Sequence, residues 1–352
     1  MQFQEVKMKI ATMNNQEMTT AQNIGKMANQ IHGLKAFDDY REGKSEHTIR
    51  RHQGDLALFG QYLGSNPAFE NLDLYSNPED WKDITWGLVK GFVKWMVNQS
   101  YALNSVNQRL STIKVYSKLA NQAGTLNEEE NAKIAGLKGF KAREQKNVNN
   151  KRMSEGISSR IGHKKENWVV ISKDQAKLLK YQPATPQGYR DAVLMGILLD
   201  HGLRCEELAI LKVNNIDLQN NTMKFYRPKI NETHTHELKN GTLKAIRKYL
   251  EIANLSKDDY LLSGSDRSGN LTTPGMSKQA ITKRVKTLGQ LIGLYGLSAH
   301  DCRHYYATQM IRNGTPMDVA MSAGGWKTPS MVIRYIEQNR IANAGVNLGD
   351  DD

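Results

Sequence analysis

Between Lys138 and Lys165 the chain loses the apolar periodicity that marks it on either side, and this break constrains the fold more than any other feature. The stretch holds nine basic residues against two acidic ones and is rich in Asn, Ser and Gly. A segment without apolar positions at helix or strand spacing has no face to bury, so it reads as a solvated linker. The chain is then two patterned halves joined by a basic tether, and its 352 residues suit two domains. The expected layout is an arm over residues 1–43, a helical domain over 44–140, the linker over 141–167 and a second domain over 168–352.

The first half predicts four helices. In SEHTIRRHQGDLALFGQYLG, Ile49, Leu56, Phe59 and Leu63 fall at helical spacing, with Ser45 as N-cap and Gly64 as stop. A second helix starts at Pro78 and carries Trp81, Ile84, Leu88, Phe92, Trp95 and Met96 on one stripe, which reads as core. A third ends near Gly124, and a fourth runs from about Asn127 to Leu137. The polar arm before Ser45 reads as a mobile segment or a short extra helix, too small for most separate domains.

The second half predicts a buried helix in QGYRDAVLMGILLDHG, a short helix in RCEELAIL, and three extended runs, VNNIDL, TMKFYRPK and THTHELK. Ile230-Asn231-Glu232 suits a hairpin turn between the last two runs. Helices follow at about 242–253, 277–292, 300–312, 316–323 and 329–342. The fold class is mainly α with a small antiparallel β-sheet.

The excess of Lys and Arg over Asp and Glu is +12, which favours a polyanionic partner through long-range attraction and counterion release. Lys138, Lys141, Arg143, Lys146, Lys151 and Arg152 are the candidate phosphate contacts of the tether. The two cysteines, Cys205 and Cys302, read as reduced thiols rather than a disulfide framework. The N-terminus has no apolar run of signal-peptide length, and nothing reaches the roughly 18 to 20 apolar residues of a membrane span. The expected location is cytoplasmic and nucleoid-associated.

Chemistry concentrates in the last third. SAHDCRHYYATQMIRNG puts His300, Arg303 and His304 in the first turns of a helix, with His300 and Arg303 on one face. A helix N-terminus favours an anion, and an arginine fork matches phosphate. A metal site is the competing reading, since His300 and His304 are four apart and His234 and His236 alternate on a strand. However, HDCRH lacks the Glu of HExxH, so no metal is expected. Upstream, Glu207 follows Arg204 by three residues; downstream, a Gly-Gly-Trp turn precedes a helix bearing Tyr335.

In order, these elements are GLRCEEL, Lys229 beside the hairpin turn, HDCRH, GGW with Trp326, and Tyr335 nine residues later. The combination resembles the tyrosine recombinase (phage integrase) family over about residues 170–340. Residues 45–140 look like that family's core-binding domain by pattern rather than by motif. Trp326, where most relatives have a second His, is similar to Cre recombinase.

The resemblance implies a two-domain DNA clamp and a catalytic set of Arg204, Lys229, His300, Arg303, Trp326 and Tyr335. Tyr335 would form a 3′-phosphotyrosine and release a 5′-hydroxyl, conserving the bond so that resealing needs no ATP. Arg204 and Arg303 would hold the non-bridging oxygens. Lys229, ahead of Lys224 and Lys239, would protonate the leaving oxygen. His300 would assist proton transfer at the tyrosine oxygen or bind the phosphate, and Trp326 would donate its indole N–H to a phosphate oxygen. Glu207 and His304 would support the set from behind. No cofactor is implied. The implied partners are double-stranded DNA, a homotetramer on that DNA, and accessory DNA-bending or directionality proteins. Two other readings stay open: a type IB topoisomerase-like or telomere-resolvase nicking-closing enzyme, and a catalytically silent DNA-binding regulator.

Overall fold

The computed structural model describes residues 21–157 and 168–336, which fall into two compact units on either side of the basic stretch. The first unit is helical throughout: α1 Ala21–Leu34, α2 Ala36–Glu42, α3 Glu46–Leu63, α4 Trp86–Asn98, α5 Leu103–Gln122, α6 Glu128–Gly136 and α7 Ala142–Ser154. Ser45 caps α3 through its hydroxyl, which accepts from the Thr48 N–H at 3.4 Å, and Gly64 ends it. The helix expected from Pro78 is instead a 3₁₀ turn, Pro78–Trp81, followed by α4. Thr85 restarts the helix because its hydroxyl caps the Leu88 N–H. The aromatic stripe is core: Trp81, Phe92 and Met96 are fully buried, and Phe59 meets Phe92 at a ring distance of 5.0 Å.

Two boundaries differ from the expectation. Part of the presumed arm is α1 and α2, and Phe37 of α2 is buried in the first unit's core against Tyr116. Part of the presumed tether is α7. It carries no apolar face, but Arg152 is buried and donates to the carbonyls of Val97 at 2.6 Å and Tyr101 at 3.1 Å. A polar side chain thus docks the helix by satisfying carbonyls at the end of α4, an interaction that hydrophobic periodicity does not register. Residues 1–20 of the arm and 158–167 of the tether lie outside the described residues.

The second unit packs α8 Lys173–Lys180, α9 Pro186–Asp200, α10 Cys205–Ala209, α11 Asn240–Ala253, α12 Lys278–Leu291, α13 Ala299–Arg312, α14 Met317–Gly324 and α15 Pro329–Ile336 around two small sheets. The first sheet is antiparallel in the order β1 Ile216–Asp217, β2 Thr222–Arg227, β3 Glu232–Glu237. Its register pairs Met223 with His236, Phe225 with His234 and Arg227 with Glu232. The turn is residues 228–231, with Asn231 at φ 56°; it starts two residues and ends one residue earlier than expected. A second hairpin, β4 Ser263–Ser265 and β5 Leu271–Gly275, has no counterpart in the expectation; its short strands of Ser, Gly and Thr carry no alternation to read. The central helix α9 is buried along most of its length, as its unbroken apolar run predicts. The fold is mainly α with a small antiparallel sheet. No helix among the described residues is long and apolar enough to cross a membrane.

Candidate active site

The site is assembled from four stretches that are far apart in the chain. The first is the turn after α9. Gly202 has φ +63°, and a Cβ there would strike the Tyr306 ring, so the chain can turn tightly into Arg204 only with glycine at this point. Arg204 is the N-cap of α10. Its N–H donates to Glu207 at 2.9 Å and its guanidinium to the same carboxylate at 2.6 Å, which fixes an otherwise mobile side chain. Glu207 is buried, whereas Arg204 keeps part of its surface exposed.

The second stretch is β2, whose alternation turns Met223, Phe225 and Arg227 inward. Arg227 is fully buried. It pairs with Glu207 at 3.3 Å and donates to the carbonyls of Ala323 at 2.8 Å and Gly324 at 3.2 Å. Burial pulls its pKa down to about 10, with Glu207 opposing that shift and Arg303 and Arg204 adding to it, so it stays charged at neutral pH. Glu207 therefore joins two guanidiniums, and the Gly324 carbonyl joins Arg227 to Arg303, which donates to it as well. Arg227 is not among the site residues expected from the sequence. A signal for it exists there: it shares the period-two face of Met223 and Phe225.

The third stretch is α13, capped by Ser298 and Asp301 bonding each other's backbone N–H groups. Arg303 is buried, donates to the Gly202 carbonyl at 2.6 Å, and sits 4.5 Å over the Trp326 ring. Burial lowers its pKa, and so does Arg204; Tyr335, through a side-chain hydrogen bond, and Glu207 oppose the shift. His300 lies on the exposed side of the first turn. His304 is buried against Trp168, ring to ring at 3.9 Å. Its pKa falls to about 4, first through burial and then through His300, so it is neutral at neutral pH.

The fourth stretch is the GGW turn and α15. Gly325 has φ +61°, and a Cβ on Gly324 would overlap the Trp326 ring, so the two glycines let the indole fold back over the turn. The Tyr335 ring lies 5.2 Å from Trp326, 5.7 Å from His300 and 4.3 Å from His304. The buried indole Nε1 of Trp326 and the Nε of Arg303 have no hydrogen-bond partner among the described residues. The result is a cluster of N–H donors around one phenol, an arrangement suited to an anionic oxygen.

The structure thus brings Arg204, Glu207, His300, Arg303, His304, Trp326 and Tyr335 together. Lys229 is exposed on the hairpin turn, two residues beyond Arg227. Lys138, Lys141, Arg143, Lys146 and Lys151 are exposed cations of the first unit. Arg152 is a correction: buried and committed to two carbonyls, it is not a phosphate contact. Among the described residues, no three His, Cys, Asp or Glu side chains converge as metal ligands would. His236 faces the Ala323 carbonyl at 3.0 Å, and His234 faces Glu232.

Residues 169–340 match the Phage integrase family, and residues 34–124 match the Phage integrase N-terminal SAM-like domain. The chain belongs to the phage integrase family and is a tyrosine-type site-specific recombinase. Among its relatives is tyrosine recombinase XerD of Rickettsia prowazekii, 25% identical over 321 residues, covering 85% of this chain and 90% of the relative. Another is tyrosine recombinase XerC of Herpetosiphon aurantiacus, 21% identical over 290 residues, 82% of this chain and 83% of the relative. The fold is shared with the Tn1549 transposon integrase in complex with transposon right end DNA, at TM-score 0.62 and 12% identity over 89% of this chain and 96% of that one. It is shared as well with a lambda integrase dimer bound to a core site, at TM-score 0.59 and 13% identity over 86% of this chain and 94% of that one.

Proposed function

We propose that this protein exchanges strands between two DNA duplexes through a 3′-phosphotyrosine on Tyr335, acting as a homotetramer that passes through a Holliday junction. One observation carries the reading: the Tyr335 phenol is set among the Arg303 guanidinium, the His300 ring and an unpartnered buried indole N–H. The Tyr335 oxygen attacks the scissile phosphorus, and the bond from phosphorus to the 5′-oxygen breaks. Arg204 and Arg303 hold the two non-bridging oxygens, where the transition state gathers charge. Trp326 donates its indole N–H to one of them. Tyrosine is a weak nucleophile at a free pKa of about 10, so this charge stabilisation matters more than activation of the phenol.

His300 takes the phenolic proton as attack proceeds. Lys229 gives a proton to the departing 5′-oxygen. Its exposed place on the turn supports this role, while Arg227 anchors the strand that leads into the turn. Lys224 points to the outer face of β2 with Tyr226, away from the cluster. Rejoining reverses the steps with the 5′-hydroxyl of the partner duplex as nucleophile, so the phosphodiester count is unchanged. Both units contact double-stranded DNA, with the exposed cations of residues 138–151 along the phosphate backbone. Accessory DNA-bending or directionality proteins are further partners, and the protein works associated with the nucleoid. The names of the relatives, XerC and XerD, support recombination at specific sites.

The test is covalent capture on a library of nicked suicide duplexes, with the trapped duplexes sequenced. Wild-type protein forms an adduct that survives denaturing electrophoresis. Tyr335→Phe binds the same duplexes and forms none. An adduct at wild-type level from Tyr335→Phe would overturn the assignment.

A further inference from the structure

The first described residues after the basic stretch are not free of the site. Trp168 lies nearly parallel to His304, ring centroids 3.9 Å apart at 25°. The next residue, Val169, donates its N–H to Asp301 at 3.0 Å, the same carboxylate that caps α13 at Ser298. His304 in turn lies 4.3 Å from the Tyr335 ring. One turn further along α13, the Thr308 hydroxyl donates to the Tyr335 carbonyl at 2.9 Å. Trp168, Val169, His304 and Thr308 line one small crevice.

These interactions run in one line from the chain that enters the second unit, through an imidazole, to the tyrosine helix. His304 meets the ring of Tyr335 and Thr308 its carbonyl, so α13 holds α15 at the residue that bears the phenol. We infer that His304 is a positioning residue for Tyr335, and that Trp168 sets the posture of His304. This rests on Tyr335 being the nucleophile. The physical basis is that an in-line attack tolerates little displacement: an error of about 1 Å costs about 100-fold in rate. His304 does this by ring contact and by a hydrogen bond to the Tyr335 backbone rather than by proton transfer, and Trp168 by fixing the ring plane.

The experiment measures single-turnover adduct formation at saturating concentration of the suicide duplex captured above, with DNA affinity measured separately. His304→Ala is expected to slow adduct formation about 10- to 100-fold with affinity unchanged. Trp168→Ala follows in the same direction with a smaller loss, and Trp168→Phe, which keeps a ring to stack, restores most of the rate. The double variant His304→Ala/Trp168→Ala is no slower than His304→Ala alone, because both act through one ring. Wild-type rates for both single variants would overturn the inference. So would losses that multiply in the double variant, or losses accounted for by DNA affinity. Should His304→Ala fail to fold, His304→Gln and the Trp168 pair decide the same question. Tyr335→Phe is run alongside: an adduct there would sink the nucleophile assignment, whereas its absence with full activity in His304→Ala would sink only the positioning role.

Discussion

In the first unit the buried side chains around Phe37, Phe59, Trp81, Phe92 and Tyr116 are almost all apolar or aromatic, with Asp55 and Arg152 among the few buried charges. In the second unit, helices of similar length surround Arg190, Arg227 and Arg303, with Asp191, Glu207 and Asp301, and the buried histidines His201 and His304. The first arrangement stabilises a scaffold and leaves its cations on the surface. The second holds cations inside, where the dielectric is low and each is worth more to a passing charge. The two units differ for that reason more in what they bury than in how they are folded. Arg190 shows that burial alone does not make a catalytic group. It is paired with Asp191 and bonded to Ser263 and Ser265, far in sequence from the tyrosine helix, and it ties α9 to β4.

The contrast can be broken most sharply at Arg227. Arg227→Ala leaves Glu207 facing Arg204 alone and takes one donor from each of the Ala323 and Gly324 carbonyls. Unfolding of the second unit in urea should lose about 3–5 kcal/mol, as when one partner of a buried pair is removed. Hydrogen exchange in the first unit should not change. Equal loss of protection in both units would show that the buried pair is not local to the second.

A pH change acts on the same difference. Burial lowers His201 and His304 to about 4 and His236 to about 3. A histidine whose folded pKa lies below its unfolded value of about 6.5 favours the neutral fold, so its contribution is complete above about pH 6.5. It is lost as pH falls from there toward 4, because the unfolded chain takes up the proton first. The second unit should therefore weaken between about pH 6.5 and 4, by on the order of 3 kcal/mol for each depressed histidine. In the first unit, burial lowers the pKa of His52. Hydrogen exchange at pH 7 and pH 5 separates the two, and a parallel decline in both units would count against this account.

Smaller effects are expected in the first unit. Arg152→Ala removes the donor that docks α7 on α4, for about 1–3 kcal/mol. Faster exchange confined to residues 142–154 would support docking, whereas loss across the whole unit would not. Changing an exposed cation such as Lys141, Arg143 or Lys146 to Ala should leave stability unaltered and lower the salt-dependence slope of DNA binding by about 0.9 for each phosphate no longer neutralised. An unaltered slope in all three would remove them from the interface.

Much of the fold can be read directly from residue order. Helical spacing located α3 and α5, Ser45 and Gly64 bounded the first of these, and alternation in TMKFYR placed β2. These are local signals, because a cap or a periodic face is decided by neighbours within a few residues. The order of GLRCEEL, HDCRH, GGW and Tyr335 was likewise enough to single out a site. What the chain alone did not reveal was set by pairings between distant residues. Arg227 reads as one more basic residue near a turn until the Gly324 carbonyl, 97 positions away, is placed against it. Arg152 reads as a surface cation until the end of α4 claims it. His304 reads as a neighbour of the site until Trp168 on one side and Tyr335 on the other enclose it. Charge and hydrogen-bonding capacity belong to the residue and are visible in the sequence. Whether they face water, a carbonyl or a substrate depends on what the fold sets beside them, and only the tertiary structure decides that.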